Sequence, residues 1–270
     1  MLLHRWSTTL VLLLVLVVGT ISATKGVAAD LRPKIQFLNG TDQEVDVYWL
    51  KTEDEKIACG VVPVGRDLIL DTTIGHSFLL VGKQDKQEAR VTSLVRIQAY
   101  RFDPEAKDGI PKFYTQVLRA HGYPIVASER VNPYALKEAA YLFDLMLAKR
   151  PEVREAMIKS GSRMCILAYN EFTTDQPEFA WLGRTGERSL PGVSPKDFID
   201  ARARGLGGSL TDPFCSCAEE NLLCYPEDPY SAECILIHEF AHNIHLRGMV
   251  NIDPTFDDRL KETYDSAMQK

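Results

Sequence analysis

Along the first hundred residues, apolar positions recur every second residue in short runs. Ile35 and Phe37 alternate with polar neighbours, as do Val45, Val47 and Trp49. A period of two sends successive side chains to opposite faces, so each run predicts a half-buried strand. Strands are predicted over 34–38, 44–50, 61–70, 77–81 and 91–100. Gly60, Pro63, Gly65, Gly75 and Gly82 punctuate them, and Asn39-Gly40 is a turn signal. Several short strands at this spacing predict a β-sandwich over 30–104.

The period changes after Asp103-Pro104. Asn132-Pro133 reads as a helix cap followed by proline at the first helical position, with apolar residues at helical spacing over 134–149. Pro151 opens a second helix that ends near Gly161, and 164–169 is a compact apolar strand. A short helix starts at Ser194-Pro195. The run 173–188 reads as loop, and the glycines of 205–208 as a flexible stretch. Ser231 is placed to cap another helix, with Glu233 in its first turn and Gly248 as its stop; a last helix follows over 254–268. The fold class expected is therefore α+β, with a sandwich followed by a second domain over 110–270.

Composition adds an address. His4 and Arg5 precede a nine-residue apolar core over 10–18, too short to span a bilayer, and Val27-Ala28-Ala29 offers a cleavage site. Residues 1–29 thus read as a signal peptide, and the mature protein is expected to be secreted and free of the membrane. The six cysteines, Cys59, Cys165, Cys215, Cys217, Cys224 and Cys234, then suggest disulfides, one of them bracing the region near 234. A thiol-bound zinc cluster is the rival reading. Asn39-Gly40-Thr41 is a glycosylation sequon, which places it on a surface loop. A formal net charge of −6 without a basic run argues against a nucleic-acid partner.

Chemistry concentrates at His238-Glu239-Phe240-Ala241-His242, an H-E-x-x-H pattern. On a helix, positions four apart share one face, so both imidazoles can reach one metal ion with Glu239 beside them. Ile235, Leu236, Ile237, Phe240, Ala241 and Ile244 surround the triplet, which predicts a helix buried nearly all round. A catalytic zinc takes three protein ligands and keeps one position for water. His245 lies on the same stripe, but three ligands in a row on a straight helix cannot close a tetrahedron. Glu262, on the last helix, is the other candidate.

Two resemblances rest on these residues. Val47-Tyr48-Trp49-Leu50, Pro63-Val64-Gly65 and Gly75-His76 resemble the β domain of the von Hippel–Lindau tumour suppressor over about 35–80. That resemblance implies a sandwich that binds hydroxyproline-bearing peptides, with a pocket including Thr72, His76, Phe78 and Cys59. The run from Glu219-Glu220-Asn221 through Asp228-Pro229-Tyr230 to His238-Glu239-Phe240-Ala241-His242 is similar to the peptidase domain of lethal-factor-like zincins. It implies zinc as cofactor, His238 and His242 as metal ligands, and Glu239 as catalytic general base. By the same comparison the third ligand is a glutamate on a later helix, beyond Lys270, so the chain reads as an incomplete pattern.

The expected function is thus a secreted zinc metallopeptidase acting on peptide or protein substrates, its sandwich binding substrate or matrix. The alternative is a non-catalytic secreted peptide-binding protein on a degenerate zincin scaffold. An adaptor of the von Hippel–Lindau type is opposed by the leader and by the lack of that family's helical domain.

Overall fold

Seven strands come first: β1 (Lys34–Asn39), β2 (Val45–Leu50), β3 (Lys56–Val62), β4 (Asp67–Asp71), β5 (Ser77–Gly82), β6 (Glu88–Thr92) and β7 (Ile97–Phe102). They form a three-stranded sheet ordered β4-β1-β7 and a four-stranded sheet ordered β3-β2-β5-β6. The computed structural model describes residues 32–184 and 190–269, so the expected signal peptide lies outside the described residues. Ile35 and Phe37 of β1 and Phe102 of β7 share one core with Val47 of β2, Phe78 and Leu80 of β5 and Val91 of β6. The rings of Phe37 and Phe78 meet edge to face at 5.3 Å. Each sheet thus buries its apolar face on the other, the condition under which alternating strands are stable.

Two expected strands divide. Pro63 and Gly65 turn the chain between β3 and β4, and residues 93–96 separate β6 from β7. Asn39-Gly40 does not close a hairpin, because β1 and β2 lie in different sheets. The Asn39 side chain is buried: its amide donates to the carbonyls of Gln43 (2.7 Å) and Val62 (3.0 Å), while its oxygen accepts from Thr41. The sequon therefore sits inside a satisfied turn, not on a surface loop.

A third sheet has the order β11-β12-β10-β9-β8. It contains β8 (Gln116–Ala120), β9 (Tyr123–Ala127), β10 (Arg163–Leu167), β11 (Gly205–Leu206) and β12 (Phe214–Ala218). β9, β10 and β12 run parallel; β8 and β11 are antiparallel edges. α1 (Pro133–Met146), capped by Asn132 as expected, and α2 (Pro151–Lys159) connect β9 to β10. α3 (Pro195–Asp200), capped by Ser194, precedes β11. After β12 come α4 (Glu219–Leu222) and α5 (Ile235–Asn243). α5 runs into a π-helical turn (Ile244–Met249), then α6 (Val250–Ile252) and α7 (Phe256–Met268). α1, α2 and α5 cover one face of the sheet through Phe143, Val153, Met157, Leu236 and Phe240.

The described residues form one compact unit. Gln36 Nε2 donates to the Thr211 carbonyl at 2.7 Å, and the Asn251 amide brackets the backbone of Ile97 at 2.7 and 3.1 Å. Among the described residues no helix is long and apolar enough to cross a membrane.

Candidate metal centre

The H-E-x-x-H segment lies on α5, whose sheet side is locked by aromatic packing. Phe240 is fully buried; its ring stacks on Phe143 at 3.7 Å and meets Tyr123 edge-on at 5.4 Å. The start of α5 is held from outside. Its cap residue is Cys234, without a side-chain bond, so neither Ser231 nor Glu233 plays the part that local pattern predicts. Asn221 serves instead: its oxygen accepts from Ile235 N (2.8 Å), and its amide donates to the Glu233 carbonyl (2.9 Å) and to Asp228 (2.8 Å). The far end is pinned by Asn243, fully buried, whose amide reaches Ser162 Oγ at 2.7 Å. Gly248 does not stop the helix. It lies in the π-helical turn, packed so closely that a Cβ would sit 2.6 Å from Val153.

The opposite face of α5 is open, contrary to the expectation of all-round burial. His238, Ala241 and His242 are exposed and Ile237 is 43% exposed, because only Ile235, Leu236, Phe240 and Asn243 turn inward. His238 and His242 have ring centroids 5.2 Å apart. Donor atoms of His238, Glu239 and His242 all lie within 4.8 Å of one another, and they are the one such group among the described residues.

Electrostatics suits the three residues to a cation. Burial pushes the half-buried Glu239 carboxyl up to about 7, with positive charge on His238 opposing and Glu233 reinforcing the rise. Burial and then the charges of His238 and His245 lower the pKa of His242, which favours the neutral imidazole that a metal needs. Two imidazoles and a carboxylate are donors that zinc takes. The set fits zinc with two histidine ligands and Glu239 beside it.

The other candidates stand apart. His245 lies in the π-helical turn, outside the group, and its Nε2 pairs with Asp257 at 2.5 Å. Glu262 is exposed on α7, outside the group. All six cysteines are free thiols, so no bridge braces the site. Cys165, Cys215 and Cys217 are small apolar fillers of the central strands, Cys165 on one face of the sheet and the other two on the opposite face. Burial pushes the Cys215 and Cys217 thiols up, away from the thiolate form a metal needs. In the first two sheets Phe78 faces the core, 3% exposed, and cannot wall a peptide pocket; the His76 ring lies tilted against Trp49 at 4.9 Å, and Cys59 packs against the same core.

One neighbour escaped the sequence reading. β11 and the glycines after it pass directly over the open face of α5. A Cβ at Gly207 would lie 2.6 Å from His242 Cδ2 and 2.8 Å from Glu239 Oε2. Glycine is there for close approach, not for flexibility; three glycines in four residues were the available signal. Gly207→Ala is expected to displace the His242 ring and weaken zinc binding about tenfold or more, a range typical of disturbed metal-site neighbours. Zinc titration calorimetry checks this, with an unchanged circular dichroism spectrum as control. No family model matches the chain, and no curated protein matches it as a relative.

Proposed function

We propose that this chain is a zinc-dependent peptidase in which a β-sandwich over 30–104 precedes a zincin-like region over 110–270. One observation carries the reading. His238, Glu239 and His242 converge within 4.8 Å on the open face of a helix whose other face is anchored in the core. Zinc held by His238 and His242 would lower the pKa of a water to about 7 and polarise a scissile carbonyl. Glu239 supplies the proton transfer. Its carboxylate can accept a proton from the attacking water and return it to the leaving amine. His238 and His242 orient the site, and the backbone at Gly207 restricts the space beside them. Export through the leader over 1–29 and substrate capture by the sandwich belong to the same proposal.

A second reading is a non-catalytic binding protein. It is favoured by the ligand count, since His245 and Glu262 lie outside the group and no third histidine or separate acid joins it among the described residues. Incubation of the purified chain with a mixed peptide library separates the two, with fragments read by mass spectrometry. The peptidase reading expects cleavage that a chelator abolishes and added zinc restores. Zinc uptake without cleavage supports the binding protein.

A further inference from the structure

A cleft of about 670 Å³ opens between the edge strand β4 and the segment that follows β11. That volume suits a ligand or a few peptide side chains. Leu206 and Gly207 line it, and Gly207 is the residue whose backbone lies against His242 and Glu239. The cleft and the candidate metal centre therefore share a wall.

Charge on the lining is unequal once internal partners are accounted for. Glu178 is spent inside the fold: its side chain is fully buried, accepts from Tyr114 Oη at 2.5 Å and faces Arg163 at 3.4 Å. The Asp212 carboxyl is pushed up to about 7 by burial, so much of its charge is absent at neutral pH. Asp67 accepts from the neutral Gln36 amide at 2.7 Å and keeps its charge, the one acid of the lining among the described residues that does so in full. Against these stand three guanidinium groups. Arg101 is packed against Gly40, and among the described residues its ion partner is Asp103 at 3.8 Å. Arg66 and Arg184 are exposed, and among the described residues neither has an acidic partner. Arg184 lies over the turn that carries Arg66, with its Nη1 3.2 Å from where a Cβ on Gly65 would stand. Both line the cleft, and a guanidinium without an ion partner offers a carboxylate forked hydrogen bonds.

We propose that this cleft receives acidic residues of the peptide substrate, with Arg66, Arg101 and Arg184 taking their carboxylates. The proposal rests on the peptidase reading for the word substrate but not for the binding itself. Its test is therefore run on the metal-free full chain. Fluorescence anisotropy compares two labelled dodecapeptides, identical except that one carries four glutamates and the other four glutamines. The glutamate peptide is expected to bind at least tenfold more tightly in 20 mM salt and to lose that advantage in 300 mM salt. The double variant R66A/R184A should bind both peptides alike while unfolding at an unchanged temperature. The charge-reversed pair R66E/R184E should prefer a four-lysine version. Equal affinity of the wild-type chain for the two peptides overturns the proposal, and so does a glutamate preference that survives R66A/R184A. An acidic preference with no peptide cleavage in the presence of zinc would leave this site standing and sink the peptidase reading alone.

Discussion

Replacing Glu239 by glutamine is expected to cut peptide hydrolysis by about 10²- to 10⁴-fold while leaving zinc uptake intact. The amide matches the carboxylate in shape, so neither α5 nor the two imidazoles need move. What disappears is the proton acceptor. Glutamine has no basic oxygen to take a proton from water, whereas the Glu239 carboxylate has. The comparison is made on kcat/KM for whichever library peptide the wild-type chain cuts fastest, with metal content measured on the same samples. Equal turnover in the two proteins would remove Glu239 from the chemistry.

The second large effect concerns stability. Arg247 is fully buried in the π-helical turn. Its guanidinium donates to the carbonyls of Ser160 (2.7 Å), Leu210 (3.2 Å) and Ser209 (3.4 Å), and thereby ties the segment after Gly207 to the end of α2. Arg247→Met keeps much of the volume but leaves the Ser209 and Leu210 carbonyls without donors and the Ser160 carbonyl with only the Ala99 N–H, so a loss of about 3–5 kcal/mol is expected in urea unfolding. The loss should depend on pH in a defined direction. Asp212 has its carboxyl pushed by burial from 3.8 to about 7, with Arg247 pulling it back down. A raised acid stabilises the fold fully below the unfolded value and loses that contribution as pH climbs to the folded value. Without Arg247 the folded value rises further. The penalty of Arg247→Met should then be larger at pH 8.5 than at pH 5.5, the difference opening above pH 7. An equal penalty at both pH values would mean that the two groups do not interact.

The parts of this fold that local spacing controls were legible in the chain. Alternation marked β1 and β2, an apolar run marked β5, and Asn132-Pro133 and Ser194-Pro195 marked the starts of α1 and α3. The His238/His242 face was legible for the same reason, since four residues make about one helical turn wherever the helix sits. What escaped depends on distant partners. Phe214, Cys215, Ser216, Cys217 and Ala218 are all buried because both faces of β12 are covered, and so they show no alternation. The β8–β9 hairpin turns at His121 and Gly122, both with positive φ, in a stretch where the pattern offered no element. Asn221 caps a helix fourteen residues downstream, and no sequence rule links the two. The apolar residues of α5 suggested burial all round, yet Ile237 and Ala241 share the open face with the histidines. An inventory of residue types on a helix does not say how much of its circumference the neighbouring elements cover.

The central claim is that His238 and His242 hold one zinc ion, and equilibrium titration of the metal-stripped chain with zinc tests it most directly. One zinc per chain is predicted for the wild type, with uptake lost in both His238→Ala and His242→Ala while the circular dichroism spectrum stays the same. Uptake of zinc by the double histidine variant equal to that of the wild type, or no uptake by the wild type, would contradict the account.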